Sequence, residues 1–133
     1  MVKSMERYYA DTYALVAIIK GDKNYSAYTD KILVTTEFNL LELAYALTRD
    51  FGAEKARRVL KIIREDLEII QPTDEDYINA ALLRQKVKRE GKNLSLIDCL
   101  GYVIAERLNI PFLTGDREFR DLENVKYVEQ SRQ

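Results

Sequence analysis

A chain of 133 residues is read as one domain spanning 1–133, long enough to bury its own core. Its 47% hydrophobic and 32% charged residues are those of a globular protein, and five glycines with two prolines leave little room for linkers. No histidine and a single cysteine, Cys99, exclude an internal disulfide and most nucleophile–base pairs, while a net charge of −1 supplies no overall field for nucleic acid.

The opening segment breaks its apolar run with Glu6, Arg7 and Asp11, unlike a secretory leader. No uninterrupted apolar run reaches the ~18 residues of a membrane span. Both features predict a cytoplasmic protein. Arg7 to Ala10 reads as a first strand ending at Asp11, and Thr12 to Lys20 as a helix with Leu15, Val16, Ile18 and Ile19 inward, stopped at Gly21-Asp22. After a short polar segment, Lys31 to Thr35 (KILVT) reads as a strand whose continuous apolar middle suits a parallel sheet covered on both faces.

Thr36 to Arg49 is helical, and Phe51-Gly52 turns the chain into a second helix, Ala53 to Glu65, with Ala56, Val59, Leu60, Ile63 and Leu67 on one face. A short strand over Leu67 to Ile70 closes at Pro72. Thr73 then caps a helix that ends at Gly91. Ser95 to Leu108 is the last helix, and Pro111 to Thr114 and Val125 to Val128 are the last strands. Strands alternating with helices predict a three-layer α/β/α sandwich with a mostly parallel sheet of about five strands. Basic runs at Lys55, Arg57, Arg58, Lys61 and Arg64, and again at Arg84, Lys86, Lys88, Arg89 and Lys92, read first as solvated helix faces and second as phosphate contacts.

In an open parallel sheet, ligands bind beyond the carboxyl ends of the strands. Asp11 and Asp116 both follow strands directly, although Asp11 would equally cap the first helix and Asp116 would equally serve the turn Thr114-Gly115-Asp116. Ser95-x-x-Asp98 matches a capping box, yet Gly101 one turn on leaves space beside Asp98. Glu42 is the odd one out. Phe38, Leu40, Leu41, Leu43, Ala44, Ala46 and Leu47 surround it, which predicts a buried helix in which an unpaired carboxylate costs several kcal/mol. It must meet a cation or point into a cleft. Two carboxylates 5 Å apart repel by roughly 3 kcal/mol at an effective dielectric of 20. Gathering the acids would therefore raise some of their pKa values or demand a cation, and all-oxygen ligation selects Mg²⁺ or Mn²⁺.

The ordered segments YYADTYAL, LVTTEFNLLELAYAL, LSLIDCLGYVIAERLNIPFLTGDREF and VKYVE resemble those of the PIN-domain ribonucleases, most closely the VapC-type toxins of type II toxin–antitoxin pairs. The family's four acids map onto Asp11, Glu42, Asp98 and Asp116, and its supporting hydroxyls onto Thr12 and Thr114. The resemblance implies a Mg²⁺- or Mn²⁺-dependent endoribonuclease in which a metal-activated water hydrolyses RNA. Asp11, Asp98 and Asp116 would hold the metal, with Glu42 helping. It also implies a homodimer and a small antitoxin partner whose arginine enters the acidic pocket, with Tyr45 of the helix Thr36 to Arg49 as a contact.

Two other readings share the fold: a PIN nuclease of RNA processing, and a non-catalytic module that binds RNA or protein, against which four intact acids argue. A haloacid-dehalogenase-type phosphatase fails because Tyr13 stands where a second Asp is needed, and a receiver domain lacks its adjacent acids.

Overall fold

The computed structural model describes residues 6–131. Residues 1–5, the start of the segment expected not to be a leader, and residues 132–133 lie outside the described part. Five strands, β1 (Arg7–Ala10), β2 (Ile32–Thr35), β3 (Glu68–Ile69), β4 (Phe112–Thr114) and β5 (Val125–Tyr127), form one sheet in the order β3-β2-β1-β4-β5. All four pairings are parallel. Five helices flank it: α1 (Thr12–Ile19), α2 (Glu37–Phe51), α3 (Ala53–Asp66), α4 (Asp74–Arg89) and α5 (Leu96–Leu108). Among the described residues, no helix is long and apolar enough to cross a membrane.

Successive strand residues point to opposite faces, and this alternation divides the core in two. Tyr9, Val34 and Phe112 pack with Ala80, Val87, Cys99 and Ile104 of α4 and α5. Their neighbours Ala10, Leu33 and Leu113 pack on the other face with Leu15, Leu43, Leu47 and Ile63 of α1, α2 and α3. The result is the expected three-layer sandwich. Its strand order reverses between β1 and β4, which opens a crevice at their carboxyl ends.

Helix boundaries follow the capping signals. Thr73 and Ser95 each form a capping box, with Asp76 and Asp98 respectively, satisfying orphan amides of the first turn. Gly52 takes φ 87° between α2 and α3, a left-handed value that favours glycine. Asp76 is buried and accepts two bonds from Arg107 at 2.8 Å, tying α4 to α5.

In α1 Leu15 is buried with Ala14 and Ala17, and Val16, Ile18 and Ile19, partly buried, pack against the same core as expected. The small alanines let the helix backbone approach the sheet. Helix α2 is not buried all round: Leu41 and Tyr45 are 70% and 71% exposed. Only the side carrying Asn39, Leu40, Leu43 and Leu47 is sealed. Gly101 opens no space beside Asp98. A Cβ there would lie 2.7 Å from Tyr9 Cε1 and 3.1 Å from Phe112 Cε1, so the glycine admits the core's aromatic rings.

The first basic run behaves as a solvated face. Arg57 and Arg58 pair with Glu54, Arg64 with Glu37, and the Lys55 ammonium lies 4.4 Å from the Phe51 ring centre.

Candidate active site

Asp11, Glu42, Asp98 and Asp116 all line one cavity of about 550 Å³ at the carboxyl edge of β1 and β4. Its other walls are Thr12 and Tyr13 of α1, Leu41, Tyr45, Ala46 and Arg49 of α2. Three of the acids are helix caps as well as cavity-lining groups, so capping does not keep them from the cavity. Asp11 caps α1 by accepting from the Ala14 amide at 2.9 Å. Asp98 accepts from the Ser95 amide at 2.9 Å, and Asp116 caps a short 3-10 turn (Arg117–Phe119) by accepting from the Glu118 amide at 3.0 Å. Capping fixes each carboxylate at the amino end of a helix, where the backbone dipole favours negative charge.

Hydroxyls orient the set. Thr114, fully buried at the end of β4, donates to Asp11 at 2.5 Å and accepts from the Asp116 amide at 3.0 Å, linking two of the acids. Thr12 donates to Glu42 at 2.6 Å. Each threonine thus stands one hydrogen bond behind an acid.

Asn39 is a residue that reading missed. It is buried, accepts from the Tyr9 hydroxyl at 2.5 Å and donates through Nδ2 to Thr12 Oγ1 at 3.1 Å. Because Thr12 accepts from Asn39, its single proton is left to point at Glu42. A signal was present in the sequence: Thr36, Asn39 and Glu42, spaced three apart, form a polar stripe on an apolar helix.

The electrostatics express the crowding. Burial pushes the Asp11 carboxyl up to about 7; the Asp98 and Asp116 charges add to this, while the Thr114 hydroxyl and Ala14 amide oppose it. Asp98 is raised too, again by burial first and then by Asp116 and Glu42. Glu42, Asp98 and Asp116 each keep one carboxylate oxygen that accepts no hydrogen bond from the described residues (Oε2, Oδ1 and Oδ2). Oxygen-only donors with excess negative charge fit a hard divalent cation.

The acids surround the cavity without meeting at one point. Among the described residues, no three acidic or thiol side chains stand close enough to enclose an ion. Mg²⁺ needs only one or two carboxylates because it retains several waters, so the donor set fits it.

The family model of the PIN domain matches residues 8–125. No curated protein matches the chain in sequence. Among solved structures, the chain is similar to VapBC2 from Rickettsia felis, bound to a DNA fragment from its promoter. Identity there is 22%, TM-score 0.75, with 94% of this chain and 99% of that one covered. It is similar to VapBC-1 from nontypeable Haemophilus influenzae at 17% identity and TM-score 0.73, covering 92% and 97%. It is also similar to VapC20 of Mycobacterium tuberculosis, a toxin that cleaves the sarcin–ricin loop, at 18% identity and TM-score 0.71, covering 91% and 98%.

Proposed function

The chain belongs to the PIN-domain family, and on that premise we propose that residues 1–133 are a single endoribonuclease domain, the toxin of a toxin–antitoxin pair acting in the cytoplasm. One observation carries the reading: four carboxylates line a single cavity at the switch point of the sheet. Among the described residues, no thiol, amine or imidazole lines that cavity with them, so hydrolysis by water is the chemistry that suits it.

Asp11, Asp98 and Asp116, with Glu42 beside them, would hold Mg²⁺ or Mn²⁺, one or two of them directly and the rest through waters the ion retains. Bound there, the ion would supply an acidified water and positive charge against the scissile phosphodiester. The chain's own groups do the positioning. Thr114 and the Ala14 amide fix Asp11. Thr12 fixes Glu42, which would then orient the attacking water or accept its proton.

Purified protein should cut single-stranded or looped RNA, stop with a chelator and resume with Mg²⁺ or Mn²⁺. Cleavage that survives chelation would overturn the mechanism, and a metal-loaded protein that cuts no RNA would overturn the function.

The partner reading is supported by the solved VapBC assemblies and by an apolar groove lined by Phe38 of α2, Tyr77 and Ala80 of α4, and Leu96, Ile97 and Leu100 of α5. Phe38 lies one turn from Leu41, and Ile97 adjoins Asp98, so this groove borders the acidic cavity on two helices. An antitoxin segment with apolar residues and one arginine complements both, since Arg–carboxylate contacts in a partly dry pocket are strong and selective. Tyr45 lines the acidic cavity and is not part of this groove. A homodimer is the second expected assembly. Sizing the protein with and without a small antitoxin encoded by an adjacent gene tests both partners, and a monomer that ignores that antitoxin would remove the toxin assignment while leaving the nuclease.

A further inference from the structure

One wall of the acidic cavity is not acidic. Tyr45 and Arg49, one turn apart on α2, line it beside Glu42. Tyr45 is 71% exposed, and its hydroxyl makes no hydrogen bond to the described residues. The Arg49 guanidinium lies 5.9 Å from the centre of the Tyr45 ring, within cation–π range. Arg49 pairs with none of the four cavity acids. It pairs with Asp50, which accepts from Nε at 2.9 Å and Nη2 at 3.3 Å. The same carboxylate also holds the ammonium of Lys20, the residue that follows α1, at 3.1 Å. Two cations share one acid, so Arg49, Lys20 and Asp50 together keep one net positive charge beside the cavity.

An exposed ring beside an arginine at the mouth of a nuclease cavity is what a single-stranded nucleic acid needs: a face on which a base stacks and a cation for its phosphate. Arg49 lies two helical turns, about 10 Å, beyond Glu42 along the helix axis. We propose that this ledge holds the nucleotide flanking the scissile phosphate, with Tyr45 stacking on its base and Arg49 contacting its phosphate. The proposal rests on the ribonuclease reading and names the substrate contact within it. Asp50 competes with the phosphate for Arg49 and restrains binding.

The test uses equilibrium binding of a mixed-sequence single-stranded RNA oligonucleotide to the Asp98→Asn protein over a range of salt concentrations. Arg49→Ala should weaken binding and reduce the slope of log affinity against log salt by about 0.7, one phosphate contact. Tyr45→Ala should weaken binding about fivefold or more with the slope unchanged, and Tyr45→Phe, which keeps the ring, should restore it. Asp50→Asn should tighten binding. In the cleaving protein, the Arg49 and Tyr45 substitutions should raise KM and spare kcat. If wild type cleaves RNA and neither substitution alters affinity, slope or KM, the ledge is overturned and the nuclease stands. If wild type neither binds nor cleaves single-stranded RNA, the nuclease reading falls and the ledge falls with it. If the substitutions loosen only a co-purified protein partner, the surface is a protein dock and the RNA assignment is overturned.

Discussion

The Thr12 hydroxyl donates to a Glu42 carboxylate oxygen at 2.6 Å, and that bond is the outer end of a chain that begins in the core. Tyr9, fully buried, donates to Asn39, and Asn39 donates to Thr12. Helix α2 and the start of α1 are thereby held in one register, and Glu42, on an otherwise half-open helix, acquires a fixed direction. Glu42, only partly buried, thus has a polar chain reaching into the core behind it.

Asn39→Ala cuts that chain without touching an acid. It leaves the Tyr9 hydroxyl without its closest partner and frees the Thr12 proton to turn away from Glu42. We expect a stability loss of about 1–3 kcal/mol from the orphaned groups. RNA cleavage should fall roughly 10- to 100-fold, as when a group supporting a ligand is lost. Denaturant unfolding and kcat on one RNA check the pair; unchanged cleavage in a folded Asn39→Ala protein would show that Glu42 needs no such support.

Much of this site was legible in the sequence, and the gaps have physical causes. Asp11 and Asp116 stand out because a strand must end where they begin, and Asp98 because a capping box announces a helix start. The layered fold followed from apolar runs too continuous for a one-sided sheet, and the family from the ordered motifs. Glu42 was singled out through a premise that fails: its helix is apolar on nearly every side, yet Leu41 and Tyr45 face outward. Apolar composition does not say whether a face meets the core or remains open, because only the neighbouring layer decides that. The role of Gly101 was hidden for a similar reason, since the ring filling its space belongs to Tyr9, more than ninety positions away.

Gly101→Ala tests that packing. Its new Cβ would sit 2.7 Å from Tyr9 Cε1, and Tyr9 is fully buried and stacked against Phe112 with ring centres 5.7 Å apart. Neither ring has room to retreat. Overpacking of this kind costs about 1–3 kcal/mol. Because the displaced ring also carries the hydroxyl that anchors Asn39, cleavage should fall along with the melting temperature. A melting temperature equal to wild type would contradict the contact.

Asp11 gives the metal-free protein an unusual pH profile. Its carboxyl is raised from the ordinary 3.8 to about 7 by burial, so between those values the folded state holds a proton that the unfolded chain has released. Stability then falls as pH rises through this window and levels off above it. Asp98 is raised as well and acts with the same sign. Asp50 and Asp76 are lowered, chiefly by hydrogen bonds from Arg49 and Arg107 respectively, and act below the window. In chelator, the melting temperature should be higher at pH 5 than at pH 8. Added Mg²⁺ or Mn²⁺ should raise the pH 8 value most, because a cation favours the ionised acids. A melting temperature that climbs from pH 5 to pH 8 without metal would mean Asp11 is ionised throughout.

Asp98 does two things, and they can be separated. Its Oδ2 accepts from the Ser95 amide at 2.9 Å while Ser95 Oγ accepts from the Asp98 amide at 3.0 Å, closing the capping box of α5. Asp98→Asn keeps a carbonyl oxygen for the cap and removes the charge that faces Asp11 and Asp116. Ser95→Ala removes half of the cap and keeps the charge. Asp98→Asn should therefore retain nearly wild-type stability at neutral pH, or gain some as the crowding of acids is relieved, and lose cleavage by about a hundredfold or more. Ser95→Ala should lose about 1 kcal/mol of stability and retain most of the cleavage. Paired thermal melts and single-turnover cleavage read both properties on both proteins. If the two substitutions instead reduce cleavage equally, the carboxylate matters only as a cap, and Asp98 drops out of the metal-binding set.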